Sequence, residues 1–211
     1  MQIAVLGGTG DFGGGLCRRW GAATDHELRV GSRSRERARN AAETYSDAVG
    51  RELTGHTNED AAAGADLAVL AVPPDEAPVL AAAVESGPEV LVSPAAAMER
   101  TEGGFRYAPP DAGSVAAAVE ARVETPVVAA LHTLPANRLA DLSNELGIDA
   151  PIAGDGPAAR ERVAAAVGAI DGVRPLEVGG LGAAAQLETL VPLLINAGVE
   201  NGLHDLGVRF E

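Results

Sequence analysis

QIAVLGGTGDFGGGL, residues 2–16, is the stretch on which the fold turns. Gln2 to Leu6 is a short apolar run that stops at Gly7-Gly8, the pattern of a parallel strand buried on both faces. Gly8-Thr9-Gly10-Asp11-Phe12-Gly13 then gives a G-x-G-x-x-G spacing, and a helix is expected from about Gly13 to Gly21. Strand, glycine turn and helix in this order form a dinucleotide-binding context. Gly8 permits the tight turn, Gly10 lets a pyrophosphate approach the backbone, and Gly13 lets helix and strand pack closely. The helix N-terminus adds free N–H groups and the positive end of its dipole. The chain holds 26 glycines in 211 residues, so a purely structural turn is the competing reading. Gly14 and Gly15 extend the run into the helix and are expected to weaken its first turn.

Outward from this loop, apolar runs alternate with helical stretches. Strands are expected at Leu28–Val30, within Ala65–Val72, and at Val90–Val92, Pro126–Leu131, Pro151–Ala153 and Pro175–Val178. Helices are expected at Arg35–Ala48, Glu76–Glu85, Ser114–Arg122, Ala136–Leu146, Pro157–Ala169 and Ala183–Asn201, with a short helical piece opening at Asn58. The rhythm predicts an α/β fold of Rossmann type, a doubly wound and mostly parallel sheet with a small C-terminal α/β portion. Residues 1–135 would form the nucleotide-binding domain, and 136–211 a smaller domain closing the cofactor cleft.

The residues after the second strand bear on the choice of nucleotide. An NAD site places Asp or Glu there, on the ribose hydroxyls. This chain has Gly31-Ser32-Arg33-Ser34-Arg35-Glu36-Arg37. A carboxylate at the strand end would repel a 2′-phosphate, whereas Ser32 can donate to it and Arg33 and Arg37 can match its charge and shape. Spaced by four, the two arginines are expected to share one helix face. A solvated helix start is the bland alternative, but arginines there oppose the helix dipole. NADP(H) is the expected ligand.

Composition narrows the remaining classes. The formal net charge is −14, all 16 basic residues are arginine, and aromatics make up 3% of the chain. The core must come from Ala, Val and Leu. An acidic, lysine-free surface suits a high-salt cytoplasm, where salt screens carboxylate repulsion; a GC-rich genome also favours arginine but leaves the excess of acids unexplained. The acidity argues against nucleic acid and anionic membranes as partners. The single Cys17 permits no internal disulfide. No leader is read before Ile3 and no uncharged apolar run reaches 18 residues, so a cytoplasmic protein without a membrane span is expected.

Several blocks together resemble the F420-dependent NADP reductases of archaea, in particular a haloarchaeal member. They are GGTGDFGGGL (7–16), VGSRSRERA (30–38), TGHTNEDAAAGADLAVLAVP (54–73), LVSPAAA (91–97), VVAALHTLPANRLADL (127–142), DGVRPLEVGGL (171–181) and NGLHDLGVRF (201–210). The resemblance implies hydride exchange between NADP(H) and the deazaflavin coenzyme F420, stacked in a cleft. Carried onto this chain, Thr9, Gly10, Asp11 and Phe12 would form the NADP loop, and Ser32, Arg33 and Arg37 would hold the adenosine phosphate. Pro74, Pro78, Met98 and Ala136 would add contacts, and Leu206 would touch the deazaflavin. Pro74 departs from an aromatic in the family pattern, and Arg37 from a lysine.

Such chemistry resides in the two coenzymes, so no general acid, base or metal is expected. His132, just after an apolar strand, is the candidate for ligand contact; a capping or buried histidine is the alternative. Glu188 and Asn196 in the apolar last helix could line the cleft or face water. The apolar stretch Leu190–Ile195 could cover the deazaflavin, form a homodimer seam or close the core. Two other functions remain open on the residues alone: reduction of another small carbonyl or imine, and non-catalytic NADP(H) sensing. The charge reading is testable by circular dichroism. The folded signal should be lost in dilute buffer and kept in molar potassium chloride, whereas a sharp thermal melt in dilute buffer would refute salt dependence.

Overall fold

The computed structural model describes residues 1–211. The chain opens with β1 (Gln2–Leu6), α1 (Asp11–Ala23), β2 (Glu27–Ser32), α2 (Arg35–Val49), β3 (Thr54–Thr57), α3 (Asn58–Ala62), β4 (Leu67–Leu70), α4 (Ala77–Val84) and β5 (Leu91–Ser93). A hairpin of β6 (Met98–Thr101) and β7 (Gly104–Tyr107) precedes α5 (Val115–Glu120) and β8 (Val127–Ala129). Then come α6 (Ala136–Ala140), β9 (Ile148–Ala153), α7 (Pro157–Gly168), β10 (Val173–Gly179) and α8 (Ala184–Asn201). Eight strands form one sheet in the order β10-β9-β8-β5-β4-β1-β2-β3. All neighbours run parallel except β8 and β9, which meet antiparallel where Ala129 faces Ala153. This is the doubly wound α/β architecture expected from the alternating runs.

Alternation along β1 separates the two layers. Ile3 and Val5 face the side covered by α1, α2, α6 and α7, with Leu16, Trp20, Tyr45, Leu139 and Val163 in the same core. Ala4 and Leu6 face the other side, where Ala61, Ala68, Ala77, Ala81 and Ala116 dominate. The low aromatic content thus reflects a core in which small side chains bring helices close to the sheet. Trp20 is the large ring of the first layer, and its indole N–H donates to the Ala166 carbonyl at 2.7 Å. Residues 136–211 add β9 and β10 to the sheet and share this core through Leu139, Ile148 and Val163.

Three elements differ from expectation. β3, with the sequence TGHT, lacks an apolar signal because it is an edge strand. The hairpin was hidden for a similar reason: β6 is exposed throughout. α6 ends at Ala140 instead of continuing to Leu146. There the chain wraps the buried Arg19 guanidinium, which donates to the carbonyls of Leu139 (3.1 Å), Arg138 (2.6 Å), Asp141 (2.5 Å) and Asn144 (2.9 Å). Those bonds favour a turn over a further helical one.

By length and composition α8 with its preceding turn is apolar enough to cross a bilayer. Neither of its two questioned polar residues lines either cleft; Glu188 is buried and Asn196 partly so, and both hold the hairpin. Asn196 accepts from the Phe105 N–H at 2.8 Å and donates to the Phe105 carbonyl at 2.7 Å, as a neighbouring strand would. Fully buried Glu188 accepts from the Tyr107 hydroxyl (2.9 Å) and from the Val115 (3.0 Å) and Ala116 (3.1 Å) amides. Asn196→Leu leaves both Phe105 groups unpaired and should cost about 1–3 kcal/mol in urea unfolding. An unchanged midpoint would show that the hairpin is held by other contacts.

Candidate functional site

The glycine loop is shaped by what stands against it. Gly7 has φ +81°, and a side chain there would strike the Ala71 carbonyl. A Cβ on Gly8 would lie 2.8 Å from the Val5 oxygen, and one on Gly13 would lie 2.8 Å from the Gly8 Cα. Gly14 meets the Tyr45 hydroxyl and Gly15 meets Leu139, so α1 lies against both α2 and α6. The glycine run that should weaken the helix is therefore required by close packing. Gly10 differs from these: its nearest obstacle is the Gly7 oxygen at 3.5 Å. Two side chains fix the loop. Tyr45 donates its hydroxyl to the Gly8 carbonyl at 3.1 Å, and Asn58 accepts from the Gly7 N–H at 3.2 Å. No side chain caps α1, which leaves the first-turn amides of Asp11, Phe12 and Gly13 for a ligand.

A cleft of about 710 Å³ opens beside this loop, outside the ends of β1, β2 and β4. It lies where the strand order reverses, the usual ligand crevice of an open α/β sheet. Thr9, Gly10, Ser32, Arg33 and Arg37 line it together. The arginines do not share a helix face: Ser34 caps α2 by accepting from the Arg37 N–H at 3.3 Å, so Arg33 precedes the helix. Arg33 is 83% exposed and lies 3.7 Å from the Glu76 carboxylate, while Arg35 is engaged by Asp60. Ser32 accepts from the Ser34 N–H at 3.3 Å and keeps its own proton free to donate. Glu59, Asp75 and Glu76 also line this cleft. Asp11 is exposed at the helix start, and Phe12 packs against the core.

A second cleft of about 410 Å³ lies between the end of β8, α8 and the segment after it. His132, Pro135, Leu194, Ile195, His204 and Leu206 are among its walls. Pro74, Pro78, Met98 and Ala136 line neither cleft, although Ala136 directly follows Pro135. His132 is 8% exposed; its ring has the Ala95 backbone as a polar neighbour but completes no well-formed hydrogen bond. Leu131, just before it, is buried at φ +73°, a costly backbone for a branched residue. Ser93, on the adjoining strand end opposite Ala129, is buried with its hydroxyl also unpaired. Strain and unpaired polar atoms thus gather at neighbouring strand ends, and of these residues His132 opens on the second cleft.

Sequence reasoning passed over Tyr45, which only folding brings to the loop. Asn58 was visible as a helix opener but not as a loop anchor. Cys17 is buried, and burial pushes its thiol up to about 12, so it is no nucleophile.

Burial pushes His132 down to about 4 from 6.5, so the ring is neutral near pH 7. The unfolded chain binds a proton here between those two values and the folded one does not. Stability from this site is thus whole above pH 6.5 and falls by about 3 kcal/mol as pH drops towards 4. His132→Asn should remove that part of the pH dependence in urea titrations; parallel curves for both proteins would contradict it.

Residues 2–97 match the family described as NADP oxidoreductase, coenzyme F420-dependent. The F420-dependent NADP reductase of Methanothermobacter thermautotrophicus is 38% identical over 99% of this chain and 94% of its own length. Among solved structures, a protein from Arthrobacter sp. FB24 superposes with a TM-score of 0.78 at 23% identity, covering 100% of this chain and 99% of that one. The NADP-bound pyrroline carboxylate reductase of Plasmodium falciparum gives a TM-score of 0.56 at 18% identity over 97% of this chain and 71% of its own. These two structures establish the likeness of fold.

Proposed function

The chain belongs to the F420-dependent NADP reductase family, and from that premise we propose how its two clefts divide the work of an oxidoreductase acting between NADP(H) and coenzyme F420. The observation that carries the division is the glycine-loop cleft, open only at Gly10 and flanked by Arg33 and Arg37. Thr9 and the first-turn amides of Asp11, Phe12 and Gly13 hold the pyrophosphate by donating N–H groups, while Gly8 and Gly10, whose own N–H groups bond Gly31 and Gly7, let it approach the backbone. Ser32, Arg33 and Arg37 take the 2′-phosphate, Ser32 by its free hydroxyl proton and the arginines by charge. Pro74 and Pro78 would reach the coenzymes only from the rim, next in the chain to Pro73 and Val79 of the first cleft, and Ala136 likewise next to Pro135 of the second; Met98 stands apart from both linings.

The cleft at His132 and Leu206 receives the deazaflavin. Its polar edge answers the unpaired His132 ring, and its face lies against the apolar residues of α8. The bound pair supplies the two-electron chemistry, so no side chain is assigned as acid or base. The protein aligns the two rings and excludes water. In this reading residues 136–211 close the cleft through α8 and the segment beyond it. A homodimer would cover the exposed Leu193 and Val199 of α8. The protein works in the cytoplasm of a salt-rich cell, as its acidity suggests.

Purified protein in molar potassium chloride should bleach the visible band of oxidised F420 with NADPH and scarcely with NADH. Arg33→Ala and Arg37→Ala should each raise the KM for NADPH by about 10- to 100-fold, as loss of a charge-assisted bond to phosphate implies. Binding of NADPH without any bleaching would move the activity to another acceptor or to sensing. Unchanged KM values would place the phosphate elsewhere.

A further inference from the structure

Asp149 lies in β9, outside both clefts, and its carboxylate is fully buried. It accepts a two-pronged bond from Arg174 of β10, at 2.8 Å from Nε and 2.7 Å from Nη2. The same carboxylate accepts from the Phe210 N–H at 2.6 Å, and Arg174 also donates to the Phe210 carbonyl at 2.5 Å. Asp149 bonds further along the same segment through its own backbone N–H, which donates to the Val208 carbonyl at 2.7 Å. Between these bonds and the cleft lies Gly207, where a Cβ would come within 2.6 Å of Ile148. The segment that carries His204 and Leu206 is therefore laid on the outside of β9.

The other side of Asp149 reaches the other wall. Its carbonyl accepts from the Thr133 hydroxyl at 2.7 Å, and Thr133 follows His132. A second bond ties the two walls at the rim, from the Asn137 amide to Asp205 at 2.9 Å. Asp205 itself adopts φ +54°. One buried residue thus holds the strand-end loop of His132 and the segment of Leu206 at a fixed separation. Lifting the segment from β9 would leave the Arg174–Asp149 pair standing but would break the bonds to Phe210 and Val208 and open the carboxylate to water, so the three bonds together hold the segment down.

We infer that Asp149, with Arg174, is a positioning residue for the second cleft: it sets the gap between His132 and Leu206 and thereby the fit of the planar coenzyme, without touching it. This rests on the assignment of that cleft to the deazaflavin. The nucleotide cleft is not tied to Asp149 by any of these bonds, which makes the effect selective.

The test is Asp149→Asn, which keeps the shape but places an amide N–H₂ before the Arg174 donors and the Phe210 N–H. The KM for oxidised F420 should rise at least about tenfold, with the KM for NADPH within about twofold of the parent. Amide exchange over residues 203–210 should quicken in the absence of either coenzyme, while β1 and β4 keep their protection. Arg174→Lys retains the charge but loses the fork, and should lie between parent and Asp149→Asn in both readouts; because Arg174 is half exposed, it serves if Asp149→Asn does not fold. An equal rise in both KM values, or unchanged exchange over 203–210, would overturn the inference. Selective loosening of 203–210 in a protein whose parent never reduces F420 would leave the clamp standing and refute the assignment of the cleft.

Discussion

The approach of α1 to its surroundings is the constraint on which the rest depends. Gly13, Gly14 and Gly15 bring the helix axis against the glycine loop, Tyr45 and Leu139 in turn, and no residue with a Cβ fits any of the three contacts without displacement. The cost in helix propensity is about 1 kcal/mol per glycine. It is offset because three consecutive residues seat α1 on the loop, α2 and α6 at once. Tyr45 shows how tight the arrangement is: the absence of a side chain on Gly14 makes room for its hydroxyl, which then bonds the Gly8 carbonyl. α6 follows the strand-end loop of His132 directly. The contact between Gly15 and Leu139 therefore sets the nucleotide loop and the second cleft in one frame.

Arginine completes that frame in a way lysine could not. Arg19 is buried and meets four carbonyl oxygens between α6 and the turn after it, using Nε and one Nη. Arg51 spans the Thr24 and His26 carbonyls, and Arg174 spans a carboxylate and the Phe210 carbonyl. A planar fork with five donors can satisfy several backbone acceptors at fixed angles, whereas an ammonium is a compact point charge with a larger hydration cost. The lysine-free composition is thus partly a structural fact. Arginines at these places hold irregular chain where no helix or strand bonds are available.

Much of the fold was legible because it depends on local rules. The run from Gln2 to Leu6, the glycine spacing and the repeated apolar stretches announce a parallel sheet, and Ser32, Arg33 and Arg37, singled out from the sequence, do gather beside the glycine loop. What escaped depends on distant partners. β3 and the β6–β7 hairpin have no apolar face to give a period, and the hairpin is held by Asn196 and Glu188, 91 and 81 residues on in the chain from their partners. The sequence pattern of α8 places Glu188 and Asn196 among apolar residues, and spacing alone cannot say that both reach the same hairpin. Tyr45 and Asp149 carry no motif at all. Each matters through a single buried bond pattern that exists only after the sheet is assembled.

The charges at the nucleotide cleft follow from the same tension between local and global demands. The chain carries −14 overall, and the phosphate proposed for this cleft would have to enter against that charge. Arg33 and Arg37 face it together with Glu59, Asp75 and Glu76, so the local balance is still acidic. Net charge therefore cannot draw the ligand in; geometry must. Arg33 reaches into solvent beyond the cap of α2, with only Glu76 at 3.7 Å to engage it. An exposed pair at that distance is weak and is screened further by salt. A 2′-phosphate offering two oxygens to the guanidinium fork competes well against one distant carboxylate. On the proposed assignment, the excess of acids lowers long-range attraction and leaves recognition to the arginine fork, the Ser32 hydroxyl and the open backbone at Gly10. Contacts made at hydrogen-bonding distance are the ones that salt screens least.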